Sequence, residues 1–307
     1  MKDLSVHGVF AALLLSRNRD GSLVESALGD QLDFLLSRGV RNFALNGATS
    51  EYCQTNPAEL RRSLQIVKAT LPSDASLLCG VGGACLRDTL ALGEIAIRAD
   101  VLGLLVPAPH FFPYAQGDLI AFVEAVAMRL PLPQLLYNLP QFTTGFEPAT
   151  TLDLIRRCSN VIGMKDSSGS LKTLRLLARE SIDTSRIIGN DGVLAQGLIE
   201  GICDGVVSGV ACVLPEIIQP LFAHPPASPA FLSAADSLRE VISHIDVLPA
   251  PWGLKVIAEE RGIAQAVYPL PLSRERELQI QSIREWLRQW LPHIEELQSA
   301  LHARPTN

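Results

Sequence analysis

Basic charge is scarce in this sequence. Its 307 residues carry 26 Lys and Arg against 32 Asp and Glu, a formal net charge of −6. With no basic footprint, nucleic acid is excluded as the main partner. Lysine is rarer still, occurring only at positions 2, 68, 165, 172 and 255. The six cysteines (53, 79, 85, 158, 203 and 212) lie scattered, mostly in apolar segments, with no C-x-x-C pair. That spacing excludes a disulfide framework and suits reduced thiols in a cytoplasmic protein. No apolar run reaches the roughly 18 residues of a membrane span, and no basic segment leading into an apolar core opens the chain. His, Cys and carboxylate residues do not cluster at metal-ligand spacing, so no metal is expected. A glycine-rich dinucleotide turn is also missing: Ser16-Arg17-Asn18-Arg19-Asp20-Gly21, after the first apolar run, is a polar loop. That absence counts against a doubly wound nucleotide-binding sheet.

What is present is apolar content, 48% hydrophobic against 19% charged, enough for a sizeable core. It is arranged in alternation. Short apolar runs at 8–15, 42–46, 76–81, 101–106, 134–138, 161–165, 186–189 and 205–210 read as strands. Amphipathic stretches at 25–37, 57–71, 86–99, 118–129, 148–157, 170–179, 193–201 and 215–222 read as helices. Strands that alternate with helices pair in parallel through crossovers. Eight such pairs predict an α/β fold, a (β/α)8 TIM barrel over residues 1–224. Pro225-Pro226-Ala227-Ser228-Pro229 then breaks the pattern, and no strand signal follows. Residues 225–307 are expected to form a C-terminal helical domain with helices at 233–247, 252–261 and 274–291. Pro292 should bend or interrupt the last of these before 294–302. Trp252, Trp286 and Trp290 are read as packing residues.

In a barrel of this kind, functional groups gather at the carboxyl ends of the strands. One end stands out. The run Val161-Ile162-Gly163-Met164 leads directly into Lys165, followed by Asp166-Ser167-Ser168-Gly169. A buried charge is costly, so burial favours the neutral amine, a nucleophile for carbonyl carbon. The plainer alternative is a lysine that marks the strand end with its ammonium in water. Lys2, Lys68 and Lys172 fall at a terminus or on helix surfaces and Lys255 in the tail, so Lys165 alone occupies a strand end. Tyr137 ends the preceding strand, and a phenol beside an amine can shuttle the protons that carbinolamine formation and dehydration require. His110, in the fourth loop, reads as a hydrogen-bonded surface residue. Asp166 points opposite Lys165 and reads as a partner for the following helix. Glu51 is expected to bond its own loop.

Three segments in register carry a resemblance: Gly47-Ala48-Thr49-Ser50-Glu51, Tyr137-Asn138-Leu139-Pro140 and Gly163-Met164-Lys165-Asp166-Ser167-Ser168-Gly169. Together the chain resembles the dihydrodipicolinate synthase and N-acetylneuraminate lyase superfamily, class I Schiff-base aldolases acting on pyruvate and related 2-oxo acids. The resemblance implies a barrel with a helical tail, assembled as a homo-dimer or homo-tetramer, with no cofactor and no membrane or nucleic-acid partner. It makes Lys165 the imine-forming residue and Tyr137 the proton relay. Gly47, Ala48 and Thr49 would hold the 2-oxo acid carboxylate through main-chain N–H groups and the Thr49 hydroxyl. Gly189, Asp191 and Ser208, at the ends of strands seven and eight, would complete the substrate contacts.

Four departures qualify that pattern. Ala48 replaces the first hydroxyl residue of the family's loop. Phe111 replaces the tyrosine that family members lend across a dimer interface. Phe142 stands where dihydrodipicolinate synthases place an arginine for the distal carboxylate, and an apolar ring cannot make that bidentate contact. Leu15-Ser16-Arg17 lacks the usual Thr-Pro-Phe. The resulting expectation is an aldolase or lyase with an uncharged or sugar-like second substrate, such as a 2-keto-3-deoxy sugar acid, and not a true dihydrodipicolinate synthase. An imine-forming dehydratase and a catalytically impaired binding barrel are the alternatives.

Overall fold

The computed structural model describes residues 6–180 and 182–302. Eight strands alternate with eight helices: β1 (Gly8–Ala12), α1 (Glu25–Ser37), β2 (Asn42–Leu45), α2 (Pro57–Thr70), β3 (Ser76–Gly80), α3 (Leu86–Arg98), β4 (Gly103–Pro107), α4 (Gln116–Arg129), β5 (Gln134–Asn138), α5 (Pro148–Arg157), β6 (Val161–Asp166), α6 (Lys172–Arg179), β7 (Ser185–Ile188), α7 (Leu194–Ile199), β8 (Gly205–Ser208) and α8 (Pro215–Ala223). The strands close into a parallel barrel in chain order, with β8 pairing β1. Three further helices follow: α9 (Pro229–Ile245), α10 (Trp252–Glu260) and α11 (Arg274–His302). The chain is a (β/α)8 barrel with C-terminal helices.

Strand side chains alternate between two apolar layers, as a period of two requires. Phe10, Ala44, Leu78, Leu105, Leu135 and Val207 fill the barrel interior. Leu45, Cys79, Leu104 and Val106 face the helices. Leu13–Leu15 carry the apolar run of β1 beyond its paired residues yet stay buried, which is why the run reads longer than the strand. The helices begin where their sequences say they should: Asn56 accepts from the N–H groups of Ala58 and Glu59, and Pro57 opens α2.

One irregularity sets the site. β5 and β6 pair Gln134 with Val161 but Leu135 with Gly163, so β6 carries an extra residue there. A bulge of one residue exchanges the faces of everything beyond it. Met164 therefore turns outward into the helix layer, whereas Lys165 turns inward beside Tyr137, its register partner. A Cβ on Gly163 would run into the Ser185 carbonyl oxygen of β7, so only glycine permits this approach.

The C-terminal helices are tied to the barrel by buried charge. Lys255 of α10 donates to Glu51 at 2.6 Å and to the Val267 carbonyl at 2.9 Å. Glu216 of α8 accepts from both Arg38 and Arg261 at 2.7 Å. Burial works to raise the Glu216 carboxyl, yet these guanidiniums hold it below the ordinary carboxylate range. Trp252 and Trp290 are buried, and the Trp290 indole donates to Glu240 at 2.9 Å. The interruption expected at Pro292 does not occur: α11 runs through it as one helix. Pro292 lies on the exposed face, where water can satisfy the carbonyl it releases, while Leu287, Trp290 and Ile294 stay buried on the other. Among the described residues no helix is long and apolar enough to cross a membrane.

Candidate active site

The barrel mouth holds a cavity of about 260 Å³. Lys165 opens into it from β6 with only 3% of its surface exposed, and it makes no ion pair among the described residues. Lys68 and Lys172 are exposed on α2 and α6, Lys255 is neutralised by Glu51, and Lys2 lies outside the described residues. Gly189 makes the room Lys165 occupies. A Cβ there would stand 2.7 Å from the Lys165 Cε and would collide with the Ser167 hydroxyl.

Tyr137 is 2% exposed and stacks its ring under the amine, with Lys165 Nζ 3.9 Å from the ring centroid. The amine thus meets the ring face instead of the hydroxyl. The Tyr137 hydroxyl extends toward the loop after β2, 3.8 Å from where a Cβ on Gly47 would stand. That loop is braced on all sides. Asn46, at φ 59°, donates from its side chain to the Gly80 carbonyl at 2.8 Å, and the Ser50 hydroxyl donates to the Leu13 carbonyl at 2.6 Å. The N–H groups of Ser50, Glu51 and Tyr52 close turns onto Gly47 and Ala48. The N–H groups of Ala48 and Thr49 find no acceptor among the described residues. Two free main-chain donors at the lip of a cavity make an anion seat.

The residues singled out in the sequence do not all converge. Ala48, Thr49, Tyr137, Phe142, Lys165, Gly189 and Asp191 line the cavity, and Gly47 backs it behind Tyr137. Ser208 does not line it. Its hydroxyl is buried, accepts from the Ala211 N–H at 2.9 Å and supports the Asp191 carboxylate. Asp191 also accepts from the Val210 N–H at 3.1 Å. Burial pushes its carboxyl above the ordinary range, against those bonds and the Lys165 charge. Phe111 stands outside the cavity, 83% exposed and edge-on to Phe112. Arg17 turns away to pair with Glu59. His110 is not a simple surface residue: its ring meets Tyr52 edge-on at 5.9 Å. Asp166 accepts from the Asn138 side chain at 3.0 Å and the Ser168 N–H at 2.9 Å, tying two loops together instead of capping α6.

Other residues at the mouth had little or no sequence signal. Tyr52 is buried beside Tyr137, and burial together with that neighbour raises its phenol above the usual range. Ser167 follows Lys165 by two, so strand alternation places it on the same side; its buried hydroxyl has no partner among the described residues. Leu254 of α10 and Ile245 of α9 come from the tail to close the far wall.

The arrangement holds a buried amine, a phenol against it, and an anion seat on the loop after β2. Known proteins resemble this chain over most of its length. A family model described as the dihydrodipicolinate synthetase family matches residues 5–289. The 4-hydroxy-tetrahydrodipicolinate synthase of Thioalkalivibrio sulfidiphilus is 26% identical over 288 residues, covering 92% of this chain and 96% of that one. Among solved structures, dihydrodipicolinate synthase from Aquifex aeolicus matches with a TM-score of 0.82 at 20% identity, over 93% of this chain and 98% of that one. YagE, a prophage protein of E. coli K12 solved in complex with pyruvate, matches with a TM-score of 0.80 at 23% identity, over 92% and 98%. At such identities the structural matches speak to the fold; the family model, spanning nearly the whole sequence, speaks to descent. The chain belongs to the dihydrodipicolinate synthetase family and is a carbon–carbon lyase of that kind.

Proposed function

We propose that this lyase works through an imine between Lys165 and the ketone of pyruvate or a related 2-oxo acid. The observation that carries the reading is Lys165 itself, buried in the barrel mouth, in no ion pair among the described residues and open to the cavity. The substrate carboxylate is seated on the Ala48 and Thr49 N–H groups, which leaves the adjacent ketone facing the amine. Lys165 attacks the carbonyl carbon, and the Tyr137 hydroxyl supplies the proton with which the carbinolamine oxygen leaves as water. The protonated imine then draws electrons from the neighbouring bond. In cleavage, Tyr137 takes the proton of the substrate hydroxyl, the carbon–carbon bond breaks, and its electron pair rests in a neutral enamine. Proton return to that carbon and hydrolysis release the 2-oxo acid and the amine.

Pyruvate in the YagE complex supports this choice of ligand. Phe142, 54% exposed at the cavity rim, supports a second substrate without a distal carboxylate. Assembly into a homo-oligomer is part of the same reading. The test is borohydride reduction in the presence of pyruvate. One reduced pyruvyl adduct per chain, mapped to Lys165, is expected; an unmodified Lys165 at saturating pyruvate contradicts the proposal.

A further inference from the structure

We infer that the second reactant is an uncharged aldehyde with an apolar body, aliphatic or aromatic, and that Leu254 selects it. This rests on the imine reading and adds the substrate class. The cavity has two unlike halves. Lys165, Tyr137 and Thr49 make one; Ile242, Ile245, Leu248, Leu254 and Phe142 make the other. The apolar half is built on purpose from distant sequence. Gly253 seats α10 against α9, where a Cβ would stand 2.5 Å from the Ile245 Cβ. The next residue, Leu254, then reaches the barrel top. A Cβ on Gly209 would stand 2.9 Å from the Leu254 Cδ1, 3.4 Å from the Thr49 hydroxyl and 4.0 Å from Asp191 Oδ2. A methyl group therefore crowds the point where hydroxyl and carboxylate converge.

Charge excludes the acidic alternative. Among the described residues Lys165 is the sole cationic side chain lining the cavity, and imine formation commits it. The other charged groups there are Asp191 and Asp246, which would repel a second carboxylate. The polar groups beside the amine serve the reacting end. Asp191 Oδ2 accepts from the Val210 N–H, the Asn190 side-chain oxygen accepts from the Gly192 N–H at 2.9 Å, and Asp191 Oδ1 and the Ser167 hydroxyl stand unpartnered among the described residues. Hydroxyl groups placed against Ile242, Ile245, Leu248 and Leu254 would lose water with only Asp246 of that wall to accept from them. An apolar body loses nothing there, and each buried methylene is worth about a fourfold preference. In the synthetic direction, the enamine carbon derived from the pyruvate methyl group bonds to the aldehyde carbon. The carbonyl π pair moves to oxygen, which takes its proton from Tyr137, and water then hydrolyses the imine. Cleavage is the reverse.

The experiment compares kcat/KM for 3-methylbutanal, glyceraldehyde and succinic semialdehyde at saturating pyruvate, with borohydride trapping run alongside. Leu254→Ser and the exposed Phe142→Ser are measured with the wild type; the latter keeps the test valid if the former does not fold. The expected result is at least a tenfold preference of the wild type for 3-methylbutanal over each polar aldehyde, reduced fivefold or more in each folded variant. With trapping intact, three results overturn the inference and leave the imine reading standing: a polar aldehyde used as well as 3-methylbutanal, a preference unchanged in both variants, or no aldehyde used. Loss of trapping in the wild type removes the imine reading and this inference together.

Discussion

Lys165 rests its amine on the face of Tyr137, 3.9 Å from the ring centroid, while the phenol hydroxyl points on toward Gly47. In the proposed mechanism this one phenol serves both carbinolamine dehydration and the substrate hydroxyl. Tyr137→Phe should therefore lower turnover by about 10²-fold or more, the range for a lost acid–base group. Its burial among apolar neighbours should leave thermal stability nearly unchanged. Steady-state kinetics decide it, and a loss smaller than about threefold removes Tyr137 from the mechanism. Gly189→Ala is expected to be nearly as damaging to imine formation, because the new methyl group stands where the Lys165 side chain runs; borohydride trapping equal to the wild type contradicts this. Lys165, Tyr137 and the loop at Gly47–Thr49 are legible in sequence because strand ends and motif spacing mark them. Ser208 and Phe111 sit at equally suggestive positions, yet one faces inward under Asp191 and the other faces solvent. Side-chain direction past a strand end is a tertiary fact that spacing does not carry.

The β5–β6 pair shows what an element contributes beyond its residues. Without the extra residue in β6, Met164 would face the cavity and Lys165 the helix layer. Gly163→Ala should force β6 and β7 apart at Ser185. Overpacking of this kind costs roughly 1–3 kcal/mol, and activity should fall further than stability because the Lys165 phase is disturbed. Paired denaturant melts and kinetics test this; a variant as stable and active as the wild type would show that the bulge does not set the lysine. The sequence at 161–165 reads as an ordinary apolar strand, since a bulge leaves no change in composition. Helices α1 and α5 and strand β5, by contrast, are readable to the residue, because amphipathic spacing and Pro148 mark them. Pro292 misleads because the rule concerns a lost bond, and an exposed helix face lets water replace it.

Across the whole molecule, the tail is bonded to the barrel through charges that the fold removes from water. Glu216 joins α8 to Arg38 and Arg261. Its folded carboxyl lies below the unfolded value, so its stabilisation is complete above about pH 4.3 and is lost as the pH falls through the lower folded value. Glu216→Gln strands the buried Arg261 and should cost about 3–5 kcal/mol near neutral pH. In chemical denaturation the gap from the wild type should narrow below about pH 4; a gap that does not change with pH contradicts the assignment. Eight strand–helix pairs made the barrel readable from the sequence. The reach of Leu254 to Gly209 and the pairing of Lys255 with Glu51 were not readable, because each joins segments that only the finished fold brings together. The central claim is that this barrel turns a 2-oxo acid into an enamine on Lys165, and it can be tested without knowing the second substrate. Pyruvate in deuterated buffer, followed by proton NMR, should lose its methyl signal at least a hundredfold faster with the wild-type protein than with buffer, and no faster than buffer with Lys165→Ala. Exchange at the buffer rate with the wild type, or undiminished exchange in Lys165→Ala, would contradict the account.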